Sequence, residues 1–275
     1  MTQERIPERV NSLHVVRTVP NGRAIGIFIF VHGSESHSGW FSKVSQNLAK
    51  KGYITVCYDR IGWGQSPGKK GCAEPLSRLS LQLHQFLREA APDNQTHELP
   101  VHIVGLSWGG LLVLHAAARG LLNEAKTLHV LVPGLFPNPK FSLLEKIKIF
   151  LGGILGLPFM VDLPWKPADF STNPDVQSYI LKDQLRTTRV SAQFLWRTFL
   201  MQQSLNLHHE SLRQKSLQFI LAENDGIIDT PATAAFAARS GAETIITSSS
   251  AHAIVLDSAD ETAEALHLFA SKAAR

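Results

Sequence analysis

The sequence has little of what marks several common classes of protein. Its 275 residues include two cysteines, Cys57 and Cys72, which are too few for a disulfide-held fold and lack a second pair for a zinc site. Charged residues make up 18%, and the 27 lysines and arginines are scattered, which argues against nucleic-acid binding. The apolar fraction of 44% excludes a disordered chain and is enough for one large domain or two small ones.

No stretch of the sequence is typical of a membrane span or a secretion signal. The longest apolar tract, residues 141–161, carries three charged side chains near its start and is interrupted by Gly152, Gly153, Gly156 and Pro158. A bilayer span needs about 20 mostly apolar residues. The first nine residues lack the apolar centre of a signal peptide. These features predict a cytoplasmic protein.

Short β-rich runs alternate with segments of helical length, which predicts an α/β fold with a mostly parallel sheet flanked by helices. The expected strands are residues 24–31, 53–58, 101–104, 127–132, 217–222 and 243–247. The expected helices are residues 39–51, 74–91, 107–120, 231–240 and 259–273. A further strand at residues 13–19, followed by the turn sequence PNG, is expected to pair antiparallel with the first of these strands.

One interval, residues 133–205, contains no β-rich run. Its helix-like stretches are residues 143–155, 175–186 and 190–203. We interpret residues 134–205 as a helical lid that folds over the edge of the sheet, between core segments 1–133 and 206–275. Ligands of open α/β sheets bind at that edge, where the strands end.

Residues 105–109 (GLSWG) follow a predicted strand and precede a predicted helix. They match G-x-S-x-G, in which a sharp strand-to-helix turn exposes a serine hydroxyl at the edge of the sheet. Small residues are needed there because the turn brings neighbouring backbone into close contact. Ser107 is therefore the candidate nucleophile. A plain glycine-rich turn is the alternative, and Gly110 is compatible with it.

A serine hydroxyl is a weak nucleophile at neutral pH and needs a histidine base oriented by a carboxylate. His252 is the candidate base because it follows the last predicted strand at the same edge of the sheet. A loop histidine that caps the last helix is the alternative. The other downstream histidines fall on predicted helices, on a strand or at the end of the insertion; they are His115, His129, His208, His209 and His267.

The candidate acid lies after the fifth predicted strand. Asp225 is followed by Gly226, which lets the loop turn the carboxylate toward the base. Asp229 precedes Thr230 and Pro231, a combination typical of a helix N-terminus, and is kept as the reserve.

Acyl-bond hydrolysis builds negative charge on a carbonyl oxygen, which backbone amides must stabilise. One donor is expected from Trp108, the residue after the nucleophile, and the other from Ser34 in the loop after the first long strand. His32 and His37 are expected to hold that loop beside the substrate.

The order of these motifs resembles the α/β-hydrolase superfamily. Residues 31–38 (VHGSESHS) are similar to the H-G-x-x-x-H-S stretch of monoacylglycerol lipases and lysophospholipases, which are related to serine aminopeptidases. Residues 59–66 (DRIGWGQS) form a second glycine-rich turn, in which Trp63 stands where these lipases usually have histidine. The resemblance runs from residue 24 to the C-terminus and is weakest across the insertion.

The resemblance implies an α/β-hydrolase fold with a helical lid inserted after the strand that follows the nucleophile helix. It also implies a triad of Ser107, Asp225 and His252, with the amides of Ser34 and Trp108 as the oxyanion hole. Dehalogenases and epoxide hydrolases of this fold have an aspartate as nucleophile. A serine at that position favours acyl transfer through an acyl-enzyme instead.

Apolar side chains fill the insertion, and we interpret it as the part that receives an acyl chain. The alternative is that they only pack the insertion onto the core. The expected substrate contacts are His32, His37, Leu151, Phe159, Trp165 and Trp196. Lys140, Lys146 and Lys148 beside apolar surface predict weak contact with a membrane or micelle.

Together these features predict a serine esterase, with no metal or cofactor, that hydrolyses a monoacylglycerol or lysophospholipid-like ester. A thioesterase, a peptidase and a small-ester hydrolase of a biosynthetic pathway remain alternatives with the same chemistry. Acyl transfer to an alcohol and a ligand-binding receptor with little turnover remain open as well.

Overall fold

The computed structural model describes residues 5–10, 13–72, 74–89, 99–138, 141–248 and 251–274. The ten strands in these residues form one sheet of eight and a second sheet of two. The strands are β1 (Arg5–Val10), β2 (Leu13–Thr18), β3 (Gly26–Val31), β4 (Tyr53–Tyr58), β5 (Val101–Leu106), β6 (Thr127–Leu131), β7 (Met160–Asp162), β8 (Arg189–Ser191), β9 (Leu217–Ala222) and β10 (Glu243–Thr247). The helices are α1 (Ser42–Lys50), α2 (Leu76–Glu89), α3 (Trp108–Ala118), α4 (Leu143–Leu155), α5 (Pro167–Phe170), α6 (Pro174–Lys182), α7 (Ala192–His208), α8 (Thr230–Arg239), α9 (Ile254–Asp257) and α10 (Ala259–Ala274).

The strand order is β1-β2-β4-β3-β5-β6-β9-β10. Within this sheet, β4, β3, β5, β6, β9 and β10 each pair in parallel with their neighbours in that order. Strand β2 pairs antiparallel with both β1 and β4. The predicted mostly parallel sheet flanked by helices is therefore confirmed.

The predicted pairing of β2 was wrong. Residues 13–19 were expected to pair with β3, but β2 lies against β4, where Val15 faces Tyr58 and Thr18 faces Thr55. The physical reason is that β3 lies inside the sheet, with β4 on one side and β5 on the other. Both of its edges are occupied, so a hairpin with β2 has no place to form.

The side chains of β3 alternate between two apolar layers, one on each side of the sheet. Ile27, Ile29 and Val31 belong to the layer that contains α3 and α7 side chains, whereas Phe28 and Phe30 belong to the layer with α1, α9 and α10. All six residues of β3 are buried, as expected for a strand covered on both faces.

Between β6 and β9 the chain forms α4 to α7. Contrary to the expectation of no strand in residues 133–205, β7 and β8 pair antiparallel as a small second sheet. Each has three residues, which is too short to leave a β-rich run in the sequence. Helix α7 continues to His208, beyond the expected boundary at residue 205. Within the described part of the chain, no helix is both long and apolar enough to cross a bilayer.

Candidate active site

The turn between β5 and α3 holds Ser107 in a backbone conformation that few residues adopt. Its φ is 52° and its ψ is −116°, although it carries a side chain. A Cβ on Gly109 would lie 2.2 Å from the carbonyl oxygen of Val31, and one on Gly105 would lie 2.5 Å from the carbonyl oxygen of Gly109. The two glycines of the G-x-S-x-G pattern are thus required by close backbone contact, which allows the turn that presents Ser107.

The structure brings Ser107, His252 and Asp225 together. His252 Nε2 lies 2.9 Å from Ser107 Oγ, and His252 Nδ1 lies 2.8 Å from Asp225 Oδ2. Asp225 Oδ1 also accepts hydrogen bonds from the amides of Ile227 and Ile228, at 2.8 and 3.0 Å. These amides fix the carboxylate, which in turn orients the buried imidazole with Nε2 toward the serine hydroxyl.

The reserve acid has another partner. Asp229 is the N-cap of α8, and its carboxylate accepts a hydrogen bond from the amide of Ala232 at 2.9 Å.

His115 and His129 lie in α3 and β6, buried in the interior. Burial lowers the pKa of His129 to about 4, so its ring is neutral at neutral pH. Neither histidine is hydrogen-bonded to Ser107 in the described structure.

The loop that contains Ser34 is held from within the core. His32 Nε2 accepts a hydrogen bond from the amide of Arg60 at 3.0 Å, which leaves Nδ1 to donate to the carbonyl of Gly33 at 2.9 Å. Burial, followed by the charge of Arg60, lowers the pKa of His32 well below its usual value and keeps the ring neutral. The Gly33 amide donates to Ser36 Oγ at 2.9 Å.

The same loop is also held by the insertion. His37 Nε2 lies 3.0 Å from Asp183 Oδ2, and Trp40 Nε1 donates to the same oxygen at 2.8 Å. Burial raises the pKa of Asp183, but the hydrogen bonds from His37 and Trp40 outweigh burial and lower it to about 2. The carboxylate is therefore charged at neutral pH and binds the loop to the end of α6.

A buried ion pair completes these contacts. Arg186 Nε donates to Glu35 Oε2 at 2.7 Å, and the amide of Thr187 donates to the carbonyl of Glu35 at 3.0 Å. Burial raises the pKa of Glu35 to about 7, although the charge of Arg186 opposes that change. Glu35 Oε1 is buried without a hydrogen-bond partner in the described structure. Residues 183–187 of the insertion thus fasten the loop that precedes α1.

A cavity of about 460 Å³ opens beside Ser107, between the sheet edge and the insertion. Ser34, Ser107 and Trp108 lie in its wall, and most of the other wall residues are apolar. These apolar residues include Ile149, Phe150, Leu163, Trp165, Phe194, Leu195, Trp196, Phe199, Ile227 and Ile228.

Only some of the expected substrate contacts lie in the wall of this cavity. Trp165 and Trp196 do, whereas Leu151 and Phe159 do not. The reason is which side of α4 faces the cavity. Ile149 and Phe150 lie on that side, whereas Leu151 is exposed at the surface. Phe159 packs beside Gly152 instead of lining the cavity. His32 and His37 hold the loop from behind and are absent from the wall as well. Lys140 lies outside the described residues.

Sequence reasoning missed two groups of site residues. Ile227 and Ile228 line the cavity and also donate their amides to Asp225, and their position directly after the candidate acid was the available signal. Arg60 and Trp63 contact the backbone of the Ser34 loop. Trp63 is unusual for the second glycine-rich turn, but nothing in the sequence indicates what it contacts.

Comparison with known proteins places this geometry in context. The profile of a hydrolase family described as serine aminopeptidase, S33, matches residues 22–259. A monoglyceride lipase of Rattus norvegicus is 27% identical over 128 residues, which are 46% of this chain and 41% of that protein. An uncharacterized protein of Escherichia coli, YnbC, is 24% identical over 156 residues, which are 54% of this chain and 27% of that protein. The matched regions therefore span less than half the length of either relative.

Solved structures share the fold over nearly the whole chain. A monoacylglycerol lipase of Paleococcus ferrophilus superposes with a TM-score of 0.81 at 20% identity, covering 94% of this chain and 98% of that one. A soluble variant of a Saccharomyces cerevisiae monoglyceride lipase, in complex with a substrate analogue, gives 0.85 at 17% identity, covering 99% and 96%. A thermostable carboxyl esterase of Bacillus coagulans gives 0.73 at 19% identity, covering 99% and 98%. These likenesses confirm the expected α/β-hydrolase fold.

Proposed function

The chain belongs to the serine aminopeptidase S33 family of α/β hydrolases, and we propose that it is a serine hydrolase that cleaves carboxylic esters of an apolar acyl chain. The observation that carries this proposal is the continuous hydrogen-bonded series from Asp225 through His252 to Ser107. Such a series is what a serine needs to attack a carbonyl carbon at neutral pH.

In the proposed reaction, Ser107 Oγ attacks the ester carbonyl while its proton passes to His252 Nε2. Asp225 holds the imidazole by Nδ1 and stabilises the charge that it gains. The amides of Ser34 and Trp108 donate to the oxyanion of the tetrahedral intermediate. The imidazolium then protonates the leaving alcohol, and water releases the acyl group from Ser107 by the same steps in reverse.

The volume and apolar wall of the cavity beside Ser107 favour a substrate with an apolar acyl group. Its wall is mostly aromatic and aliphatic, and its volume of about 460 Å³ lies within the range of roughly 300–1,000 Å³ that is common for small-molecule sites. The relatives that act on monoacylglycerols, by their names, share the fold and part of the sequence. We therefore propose a monoacylglycerol or a lysophospholipid-like ester as the substrate.

We also propose that residues 134–205 act as a lid, with an exposed apolar face on α4. Leu143, Leu144, Ile147, Phe150, Ile154 and Leu155 are all exposed. Lys146 and Lys148 lie among them in the sequence, and apolar side chains flanked by lysine favour contact with lipid. This face would bring the cavity opening to the surface of a membrane or micelle that contains the substrate.

A substrate panel tests the proposed function. The wild type is compared with Ser107→Ala on p-nitrophenyl esters of increasing chain length, a monoacylglycerol, a lysophospholipid, an acyl-thioester and an aminoacyl amide. We expect the highest kcat/KM on a long-chain ester and a loss of at least about 10³-fold in Ser107→Ala. Ser77→Ala, which changes an exposed serine of α2, is the matched control.

Other outcomes would point to the alternatives. Preference for the thioester or the amide would replace the substrate class and keep the chemistry. Products formed with an added alcohol in place of water would indicate acyl transfer. Absence of turnover, together with failure of a fluorophosphonate probe to label Ser107, would contradict the proposal and favour a ligand-binding protein of this fold.

A further inference from the structure

A buried arginine lies directly behind the two residues proposed to form the oxyanion hole. Arg60 follows β4 and is 2% exposed. Its guanidinium carbon lies 4.2 Å from the ring centre of Trp63 and 4.1 Å from that of Trp108. A cation between two indole faces is attracted by both rings. In the described structure Nε and Nη1 of Arg60 have no hydrogen-bond partner, so the two rings and the charge of Asp59 contribute to its stabilisation.

The third guanidinium nitrogen contacts the peptide group that is to stabilise the oxyanion. Arg60 Nη2 donates to the carbonyl of Gly33 at 2.8 Å, and that carbonyl belongs to the same peptide unit as the Ser34 amide. A peptide unit is planar, so a donor on its oxygen restrains the direction of its N–H. Hydrogen bonds in series polarise one another, so the charge also strengthens the N–H as a donor.

Trp63 completes the arrangement. Its indole Nε1 donates to the carbonyl of Ser34 at 2.6 Å, while its ring face carries Arg60. The ring of Trp108, whose amide is the second proposed donor, lies 4.1 Å from the same guanidinium carbon. One buried cation thus contacts the peptide group that carries the Ser34 amide and the side chain of Trp108.

We propose that Arg60 is a positioning residue of the oxyanion hole, which orients the Ser34 and Trp108 amides and places a positive charge that favours the anionic tetrahedral intermediate over the neutral ester. The proposal rests on the acyl-transfer chemistry proposed above. Burial lowers the pKa of Arg60 to about 9, so the guanidinium remains charged at neutral pH.

The fold gains little from this charge. The two rings, the Gly33 carbonyl and the charge of Asp59 offset the desolvation of this buried cation only in part, because burial still lowers the pKa of Arg60. Arg60→Met keeps an unbranched apolar side chain between the two rings and removes the charge. We therefore expect its melting temperature to equal or exceed that of the wild type. We expect kcat/KM on a long-chain ester to fall about 10- to 100-fold, less than the 10²–10³ typical of losing an oxyanion donor itself.

Two inhibitors separate positioning from packing. A long-chain trifluoromethyl ketone adds to the serine and forms an oxyanion, whereas a long-chain alkyl glycerol ether stays neutral and only occupies the cavity. In Arg60→Met we expect inhibition by the ketone to weaken by the same factor as kcat/KM, and inhibition by the ether to be unchanged. Arg239→Met, which removes an exposed arginine 6.0 Å from the ring of Phe236, is the matched control and is expected to change neither.

A second variant keeps the test decisive if Arg60→Met does not fold. Arg60→Gln retains an N–H donor for the carbonyl of Gly33 and removes the charge, so we expect a smaller loss with the same preference for the ketone. Equal weakening of the ketone and the ether would make Arg60 a packing residue, and unchanged kinetics in an active Arg60→Met protein would also overturn the proposal. A wild type that neither hydrolyses esters nor reacts with a fluorophosphonate would instead overturn the proposed function.

Discussion

Two aspartates four positions apart in the sequence are distinguished by the groups that donate to them. Asp225 binds His252 and the amides of Ile227 and Ile228, whereas Asp229 caps α8. Both carboxylates follow β9, and on grounds of chain order either could be the proposed acid. The helix-start pattern after Asp229 was the feature of the sequence that separated them.

Asp225→Asn tests this distinction. An amide at position 225 can donate to Nδ1 of His252, which favours the tautomer with the proton on Nε2 and leaves Ser107 without a base. We expect kcat on a p-nitrophenyl ester to fall about 10³- to 10⁴-fold with little change in KM. Asp229→Asn is the control, since asparagine also caps helices, and it is expected to retain the wild-type kcat. A comparable loss in both variants would contradict the assigned roles.

Glu35 is a second carboxylate whose surroundings make a prediction. Burial raises its pKa from 4.5 to about 7 in the folded protein, so between these values the folded state holds a proton that the unfolded chain has lost. The stability that this group contributes is therefore full below pH 4.5 and is lost as the pH rises through 7.

Urea unfolding of the wild type and Glu35→Gln across this pH window measures that contribution. We expect the free energy of unfolding of the wild type, relative to the variant, to decrease as the pH rises toward 7 and to level off above it. A relative stability that instead rises with pH would mean that the ionised pair with Arg186 outweighs the effect of burial.

At the scale of elements, α4 differs from α7, the other long helix of the insertion, in what it leaves exposed. It begins with a capping box of Ser142 and Glu145 and ends at Gly156, whose φ is 69°, so both ends are well defined. Yet among its described residues only Gly152 is fully buried. A helix with so much exposed apolar surface is suited to contact with another apolar phase.

Leu144→Asp tests the lipid contact without altering the cavity wall. Leu144 is 62% exposed, and a carboxylate there opposes insertion into a lipid surface. We expect weaker sedimentation with phospholipid vesicles and slower hydrolysis of emulsified long-chain ester, while hydrolysis of a water-soluble short ester is unchanged. Leu268→Asp on α10, where Leu268 is 58% exposed, is the matched control. Equal vesicle binding by both variants and the wild type would argue against a lipid-facing α4.

At the scale of the whole molecule, the insertion and the sheet share one apolar layer. Phe194, Met201 and Leu205 of α7 belong to the same buried cluster as Val31 of β3 and Leu111 of α3. Phe194 also packs against Trp108, with ring centres 5.0 Å apart, directly after the candidate nucleophile. The insertion is therefore packed as part of the core, and we expect it to unfold with the core.

Phe194→Ala measures this coupling. Phe194 is 1% exposed, and removal of a fully buried phenylalanine costs about 3–5 kcal/mol. We expect that loss in a single unfolding transition, seen alike by calorimetry and by tryptophan fluorescence. Phe199 lies on the same helix but is 45% exposed. We expect Phe199→Ala to lower the free energy of unfolding by less than about 1.5 kcal/mol. A separate early transition for the insertion would contradict the coupling.

The sequence predicted the strands of the parallel sheet and the nucleophile turn because these depend on residues close together in the chain. Runs of apolar β-formers indicate buried strands, and glycines on both sides of Ser107 indicate a tight turn. The same reasoning missed β7 and β8, each of three residues, and assigned β2 to the wrong neighbour. Strand pairing depends on which edges are free, and local patterns carry no such information.

By itself, then, the sequence determined the alternation of strands and helices, the turn that presents Ser107 and the chain order of serine, acid and histidine. Tertiary structure alone decided which side chains meet: His252 lies 145 positions from Ser107 in the chain. It also turned Phe150 toward the cavity and Leu151 away from it, and it stacked Arg60 between Trp63 and Trp108. Local structure follows from neighbouring residues, whereas these contacts follow from the packing of elements distant in the sequence, which is settled only when the whole core forms.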